Sequence, residues 1–89
     1  MKILTVCGLG QGTSLILKMN VETALEQKNI EADVEHMDVS SASGVQADYI
    51  ITNQELAPNL EGHKAKLIIV QNYFDPNEIS QAIDEQMQD

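Results

Sequence analysis

Apolar residues form several short, nearly continuous runs along this chain. Residues 3–6, 49–52 and 67–70 are such runs, and each is bounded by charged or turn-forming positions. A short apolar run of this kind is typical of a strand buried on both faces of a parallel sheet. Residues 30–37 instead alternate between apolar and polar positions, which predicts a half-exposed strand at a sheet edge. The pattern therefore predicts four strands, three of them buried.

Two other segments have helical periodicity. Residues 13–28 place apolar side chains on one face, and Lys28 and Asn29 supply a cation and a left-handed residue at the end. The second helix is predicted to begin at residues 75–78, where an aspartate cap precedes a proline at the first helical position and a glutamate at the third. The predicted buried stripes are Leu17, Val21, Ala24 and Leu25 in the first helix, and Ile79, Ala82, Ile83 and Met87 in the second.

The connecting segments are less regular. Residues 38–48 are rich in serine and small residues and fit either a loop or a short helix, and both remain open. Residues 53–63 contain proline, asparagine and glycine, which predicts an irregular connection. Strands that alternate with helices imply a parallel sheet with right-handed crossovers, in which ligands gather at the carboxyl ends of the strands. The residues predicted at these ends are Cys7, Asp38, Asn53 and Asn72.

The composition limits the classes of partner. The 89 residues are predicted to form one domain, residues 1–89. The chain has fourteen acidic residues and five basic residues, the five being lysines, and its formal net charge is −9. Nucleic acids and anionic membranes require clustered cations, so we expect neither as a partner.

The single cysteine excludes an internal disulfide. No cluster of cysteine or histidine has the spacing of metal ligands, so we expect no metal and no cofactor. The amino terminus lacks the pattern of a signal peptide, and no run approaches the roughly 20 apolar residues that cross a bilayer. We therefore expect a cytoplasmic protein that does not insert into the membrane.

That cysteine, Cys7, stands where the first apolar run ends and a glycine-rich turn begins. Alternating glycines allow the main chain to curl so that successive N–H groups point inward, and the following helix adds free amides and its positive dipole end. The same donors that bind a phosphate would stabilise a thiolate and lower the pKa of the thiol. Cys7 is therefore a candidate nucleophile that accepts a phosphoryl group. The alternative is that Cys7 is a small buried apolar residue beside a nucleotide-binding turn.

Other phosphate-binding loops fit this segment poorly. A dinucleotide loop would place a third glycine where Thr13 stands, and a nucleoside-triphosphate loop would place lysine where Gly12 stands. Low-molecular-weight tyrosine phosphatases are similar in design, with Cys-x5-Arg-Ser/Thr and an Asp-Pro pair as acid. Here Thr13 occupies the arginine position, the chain has no arginine, and Asp75-Pro76 is explained as a helix cap. Without arginine to stabilise attack by water, a phosphocysteine should hydrolyse slowly, which suits storage and transfer.

Residues 2–14, Lys-Ile-Leu-Thr-Val-Cys-Gly-Leu-Gly-Gln-Gly-Thr-Ser, resemble the start of the enzyme IIB component of the bacterial phosphoenolpyruvate-dependent sugar phosphotransferase system. They are most similar to the ascorbate and galactitol branch, where Cys-Gly-x-Gly-x-Gly-Thr/Ser-Ser is typical, and residues 10–12 favour the ascorbate type. The resemblance implies an α/β fold, a four-stranded parallel sheet with helices on both faces, flavodoxin-like or Rossmann-like in three layers. Length and element order agree along the whole chain.

The resemblance also implies a function. Cys7 would take a phosphoryl group from a phosphohistidine of the IIA protein and pass it to a carbohydrate that arrives through the membrane IIC permease. Thr13 and Ser14 could donate to the phosphate, but we favour helix capping for at least one of them. By motif position, the phosphate-binding residues would be Gly8, Leu9, Gly10, Gln11, Gly12, Thr13 and Ser14.

Three apolar residues suggest a docking surface beside this loop. Leu15 and Met19 lie one helical turn apart and point away from the buried stripe, and Leu9 is nearby in the sequence. Alternatively, residues 53–63 simply cover them. His36 and His63 are predicted to be structural or solvated rather than relays. Three hypotheses thus remain: a phosphoryl carrier, a cysteine phosphatase, and a non-catalytic anion-binding domain.

Overall fold

The computed structural model describes residues 1–6, 11–60 and 62–86, with the backbone alone for residues 11–14. Within these residues, four strands form one parallel sheet in the order β2-β1-β3-β4. The elements in chain order are β1 (Lys2–Val6), α1 (Gln11–Gln27), β2 (Asp33–Met37), α2 (Val39–Ala42), β3 (Tyr49–Thr52), a 3-10 turn (Ala57–Leu60), β4 (Lys66–Ile69) and α3 (Pro76–Gln86). The predicted α/β fold with a four-stranded parallel sheet is confirmed.

The strand predictions hold with one correction. β2 lies at a sheet edge, as its alternation predicted, although it begins at Asp33 rather than at residue 30. The prediction that residues 67–70 form a buried strand was wrong in part, because β4 is the other edge and Ile69 is 38% exposed. An apolar run indicates a strand but not its place in the sheet, which depends on the order of all four strands.

The helices follow their predicted patterns closely. Asn29, just after α1, has φ of 58°, the left-handed conformation expected at that helix end. The segment left open, residues 38–48, contains the short helix α2, whose N-cap is Asp38. Met87 of the predicted α3 stripe lies outside the described residues, and Ala82 is only partly buried. The other predicted stripe residues are all buried: Leu17, Val21, Ala24, Leu25, Ile79 and Ile83.

The sheet separates two apolar clusters. On one face, α1 and α3 pack together over Ile3, Ile51 and Ile68. On the other face, Leu4 and Ile50 pack beneath α2 and the 3-10 turn. Successive strand residues point to opposite faces, and burial of each such side chain contributes on the order of 1.5–3 kcal/mol. Helical segments thus cover both faces, and the central strand β1 is buried between them. No helix in the described part of the chain is both long and apolar enough to cross a bilayer.

Candidate functional site

The motif containing Cys7 connects the central strand to α1. β1 ends at Val6 and α1 begins at Gln11, so residues 7–10 join the carboxyl end of a buried strand to a helix N-terminus. Of the predicted site residues, Cys7, Gly8, Leu9 and Gly10 lie outside the described residues. The first turn of α1 consists of Gln11, Gly12, Thr13 and Ser14, of which the structure describes the backbone only. The site can therefore be built from the elements on either side of it.

The first turn of α1 carries no acidic residue, although the whole chain has fourteen. The first four N–H groups of a helix have no acceptor within it, and the helix dipole adds partial positive charge there. At α3 the situation is different, because the Asp75 carboxylate accepts hydrogen bonds from the N–H groups of Asn77, at 3.0 Å, and Glu78, at 3.4 Å. The N-terminus of α1 is therefore suited to an anion, whereas the N-terminus of α3 already has its carboxylate.

The main-chain carbonyl of Val6 accepts two side-chain hydrogen bonds. The Thr52 hydroxyl at the end of β3 donates to it at 3.2 Å, and the Tyr73 hydroxyl donates at 3.0 Å. Thr52 and Tyr73 are buried, at 0% and 6% exposure. The last peptide group before Cys7 is thus anchored from two different segments of the chain.

The segment that carries Tyr73 is itself held at two points. The Nδ2 of Asn20 on α1 donates to the main-chain oxygen of Tyr73 at 2.9 Å. The Glu78 carboxylate accepts from the N–H of Gln71 at 2.5 Å and from the N–H of Asn72 at 3.2 Å. Glu78 therefore does not complete the capping arrangement expected from its position at the start of α3, but reaches back to fix the segment after β4.

The polar residues predicted at the other strand ends bind nearby backbone. Asp38 accepts from the N–H of Ser41 at 2.8 Å, Asn53 accepts from the N–H of Leu56, and Asn72 accepts from the N–H of Phe74. The hydrogen bonds from Ser41 hold the pKa of Asp38 below its ordinary value, because they stabilise the carboxylate. The structure thus gives these three side chains local roles, Asp38 as the cap of α2 and Asn53 and Asn72 in turns.

Asp75-Pro76 is a helix cap, as predicted. Both hydrogen bonds of the Asp75 carboxylate go to amides in the first turn of α3, and Pro76 is the first residue of that helix. The N–H group of the first helical residue has no acceptor within the helix, so proline, which lacks that N–H, is favourable at this position. The structure therefore accounts for the pair without a catalytic acid.

Several side chains exposed on α1 near the motif are apolar. Leu15 is 44% exposed and Met19 is 57% exposed, so the described residues of the 53–63 connection do not cover them. Ile16 and Phe74 are exposed as well. The Asn20–Tyr73 hydrogen bond brings the segment containing Phe74 to the same part of α1. We call Leu15, Ile16, Met19 and Phe74 the apolar rim.

The two histidines occupy different parts of the fold. The His63 Nε2 donates to the Val45 carbonyl at 2.6 Å, and its Nδ1 accepts from the N–H of Ala65 at 3.0 Å. That ring is structural, as predicted. His36 lies on β2, paired with Thr5 of β1. A cleft of about 480 Å³ lies between the end of α1 and the start of β2, and another of about 490 Å³ is lined by residues that precede β3 and β4.

Sequence reasoning missed five residues around the motif: Thr52, Tyr73, Asn20, Glu78 and Phe74. In the sequence, Glu78 was noted only as a helix-start residue, Thr52 ends an apolar run, and Tyr73 and Phe74 follow another. Neither signal identifies a hydrogen-bond partner 46 or 67 positions away.

Comparison with known proteins gives a consistent family. Residues 2–85 match the family model described as PTS system, Lactose/Cellobiose specific IIB subunit, where PTS denotes the phosphotransferase system. The chain is 36% identical over 84 residues to the Ascorbate-specific PTS system EIIB component of Mycoplasma pneumoniae, covering 91% of this chain and 88% of that protein. It is 39% identical over 80 residues to the protein of the same name from Salmonella typhimurium, covering 84% of this chain and 77% of that one.

A solved structure supports the fold. The lactose-specific IIB component domain from Streptococcus pneumoniae superposes with a TM-score of 0.71, covering 99% of this chain and 98% of that one. The sequence identity is 16%, so this likeness concerns the fold alone.

Proposed function

The chain belongs to the IIB family of the sugar phosphotransferase system, and on that premise we propose that Cys7 carries the phosphoryl group between a IIA protein and a carbohydrate. One observation carries this proposal more than any other. The only cysteine of the chain directly follows the buried central strand and precedes a helix whose first turn has no acidic residue. Free helix amides and the helix dipole favour both a thiolate and a bound phosphoryl group at that place.

The proposed chemistry consists of two transfers. The Cys7 thiolate attacks phosphorus of a phosphohistidine, a P–S bond forms, and the P–N bond breaks with its electron pair left on the imidazole, which takes up a proton. A sugar hydroxyl then attacks the same phosphorus, the P–S bond breaks, and the thiolate leaves. The hydroxyl proton goes to solvent. The backbone amides of residues 8–14 would stabilise the charge on the phosphoryl oxygens in both steps.

We favour an ascorbate-type substrate. Relatives named ascorbate-specific are 36–39% identical to this chain, whereas the lactose-specific domain is 16% identical. Residues 10–12, Gly-Gln-Gly, agree with this choice. The partners would be an ascorbate-type IIA protein and a membrane IIC permease, which the IIB subunit would meet in the cytoplasm.

The docking surface for IIA is proposed to be the apolar rim together with Leu9. Leu15 and Met19 were expected there from their helical spacing, and Ile16 and Phe74 extend the surface toward the segment after β4. A protein partner that brings a phosphohistidine to Cys7 must cover the N-terminal part of α1. Burial of exposed apolar side chains would drive that contact.

A phosphatase activity is less consistent with the residues. The chain has no arginine to stabilise attack by water, and the Asp75 carboxylate is bound to the amides of α3. Slow turnover of an aryl phosphate by the protein alone, compared with rapid transfer from IIA, would separate the two activities.

The test of the proposed function is direct phosphorylation. The protein is incubated with a phosphorylated ascorbate-type IIA protein, and its intact mass is measured for wild type and for Cys7→Ser. We expect wild type to gain the mass of one phosphoryl group, with peptide mapping placing it on Cys7, and Cys7→Ser to gain none. Equal labelling of Cys7→Ser, or a phosphoryl group on another residue of wild type, would refute the proposal.

A further inference from the structure

The carbonyl of Val6 is bound by two hydroxyl groups that come from distant parts of the chain. Thr52 belongs to β3, and Tyr73 belongs to the segment between β4 and α3. Both side chains are buried, so both hydrogen bonds are shielded from water. A buried carbonyl needs at least one partner, and a carbonyl oxygen can accept two. Here side chains fill both positions at the last residue before Cys7.

The two hydroxyls control the orientation of one peptide unit. The carbonyl group of a residue and the N–H and Cα of the next residue share a plane. Two donors on the Val6 carbonyl therefore fix the orientation of the peptide plane at the end of β1. Donors on the carbonyl also polarise the peptide and strengthen the N–H on its other side.

Tyr73 connects both sides of the 7–10 segment. Its hydroxyl binds Val6, which precedes the segment, and its main-chain oxygen accepts from Asn20 on α1, the helix that follows the segment. A helix moves largely as a rigid unit, so this pair of contacts links α1 to the end of β1. Glu78 holds the backbone just before Tyr73 and keeps this bridge in place.

We propose that Tyr73 and Thr52 are positioning residues for phosphoryl transfer, which align the Val6–Cys7 peptide and the N-terminus of α1 around the phosphorus. This inference rests on the proposed function of Cys7. In-line transfer between two proteins depends on the orientation of the nucleophile, and a misplacement of about 1 Å can reduce a rate by about a hundredfold. A purely structural role for the same hydroxyls would change stability and leave the chemistry of Cys7 unaltered.

The test compares variants that remove one hydroxyl each. Tyr73→Phe and Thr52→Val delete the donors and keep the approximate shape of the side chain. Thr52→Ser retains the hydroxyl, and Tyr49→Phe removes a hydroxyl from the other end of β3, where the ring packs against the α1 and α3 core. Two properties are measured on folded protein: the single-turnover rate of transfer from phosphorylated IIA, and the pH dependence of Cys7 alkylation by iodoacetamide.

We expect Tyr73→Phe and Thr52→Val each to slow transfer by about tenfold or more and to shift the alkylation profile. Thr52→Ser and Tyr49→Phe should remain close to wild type in both measurements. Wild-type transfer rates and alkylation profiles in Tyr73→Phe and Thr52→Val, whatever their stability, would overturn the inference. If Tyr73→Phe does not fold, the contrast between Thr52→Val and Thr52→Ser decides the matter. Failure of wild type to accept phosphate from IIA would refute the proposed function instead, so the two failures are distinguishable.

Discussion

Asn20 and Tyr73 lie 53 positions apart and are joined by a hydrogen bond of 2.9 Å from the Asn20 side chain to the Tyr73 main-chain oxygen. Through this bond the helix that follows the cysteine motif contacts the segment between β4 and α3. The exposed side chains of Met19 and Phe74 are direct sequence neighbours of these two residues. The Asn20–Tyr73 hydrogen bond therefore links the buried contact between Tyr73 and Val6 to the apolar rim on the surface.

Met19→Glu should weaken docking of IIA without unfolding the protein. Met19 is 57% exposed, so a carboxylate at this position remains in water in the free protein. In a complex it would be buried against the partner, and a loss of about 1.4 kcal/mol in binding corresponds to about tenfold weaker association. The measurement is the rate of transfer from phosphorylated IIA at concentrations below saturation.

Gln27→Glu is the matched control for Met19→Glu. It adds the same charge to an exposed position of α1, about 12 Å farther along the helix axis. We expect its transfer rate to remain near wild type. Equal slowing by both variants would point to net charge, and an unchanged rate in Met19→Glu would remove the apolar rim as the docking surface.

Asp75 substitutions should affect stability but not chemistry. Asp75→Ala removes the cap of α3 and should lower the free energy of unfolding by about 1 kcal/mol, as measured in urea. Asp75→Asn retains a capping oxygen, and both its stability and its transfer rate should remain near wild type. A transfer rate that falls in Asp75→Asn while the stability is retained would instead assign a catalytic acid to this position.

Glu78→Gln should loosen the segment after β4. The two carboxylate oxygens bind the N–H groups of Gln71 and Asn72, whereas an amide side chain offers one oxygen and no charge. We expect the free energy of unfolding to fall by about 1 kcal/mol, and hydrogen exchange at the amides of residues 71 and 72 to accelerate. Glu85→Gln, an exposed position on the same helix, is the control. Unchanged exchange at residues 71 and 72 in Glu78→Gln would show that the carboxylate does not hold this segment.

Asp38 should contribute a pH-dependent part of the stability. Its pKa in the folded protein lies below the ordinary value of 3.8, chiefly because of hydrogen bonds from Ser41. A lowered folded-state pKa means that the contribution is complete above the unfolded-state pKa and is lost as pH falls from about 4 through the folded-state value. The melting temperature of wild type should therefore fall more steeply below pH 4 than that of Asp38→Asn, whose amide still caps α2. Parallel curves for the two proteins would contradict this assignment.

Much of the architecture was predictable because it depends on neighbours a few positions apart. Residues 49–52 form a strand as their apolar run predicted, the left-handed Asn29 follows α1, and Asp75 caps α3. The candidate nucleophile and the candidate phosphate-binding segment likewise come from a local motif, and both remain predictions. The extent of the domain, residues 1–89, also remains a prediction.

The surroundings of the motif were not predictable in the same way. The hydroxyls of Thr52 and Tyr73 meet at Val6 because β3 pairs with β1 and because the chain after β4 returns to the carboxyl end of β1. Likewise, β4 lies at an edge because of the order of four strands, and Glu78 binds backbone before its own helix because that segment folds back onto it.

The sequence by itself thus determined the four strands, the two long helices, the helix-end roles of Asn29 and Asp75 and the position of the cysteine between strand and helix, since backbone propensity and capping act over a few residues. Only the tertiary structure decided which strands are edges, which hydroxyls anchor Val6 and which apolar side chains of α1 stay exposed. These outcomes depend on packing between segments far apart in the chain. The order of the strands in the sheet, rather than the local sequence, brings the interacting side chains together.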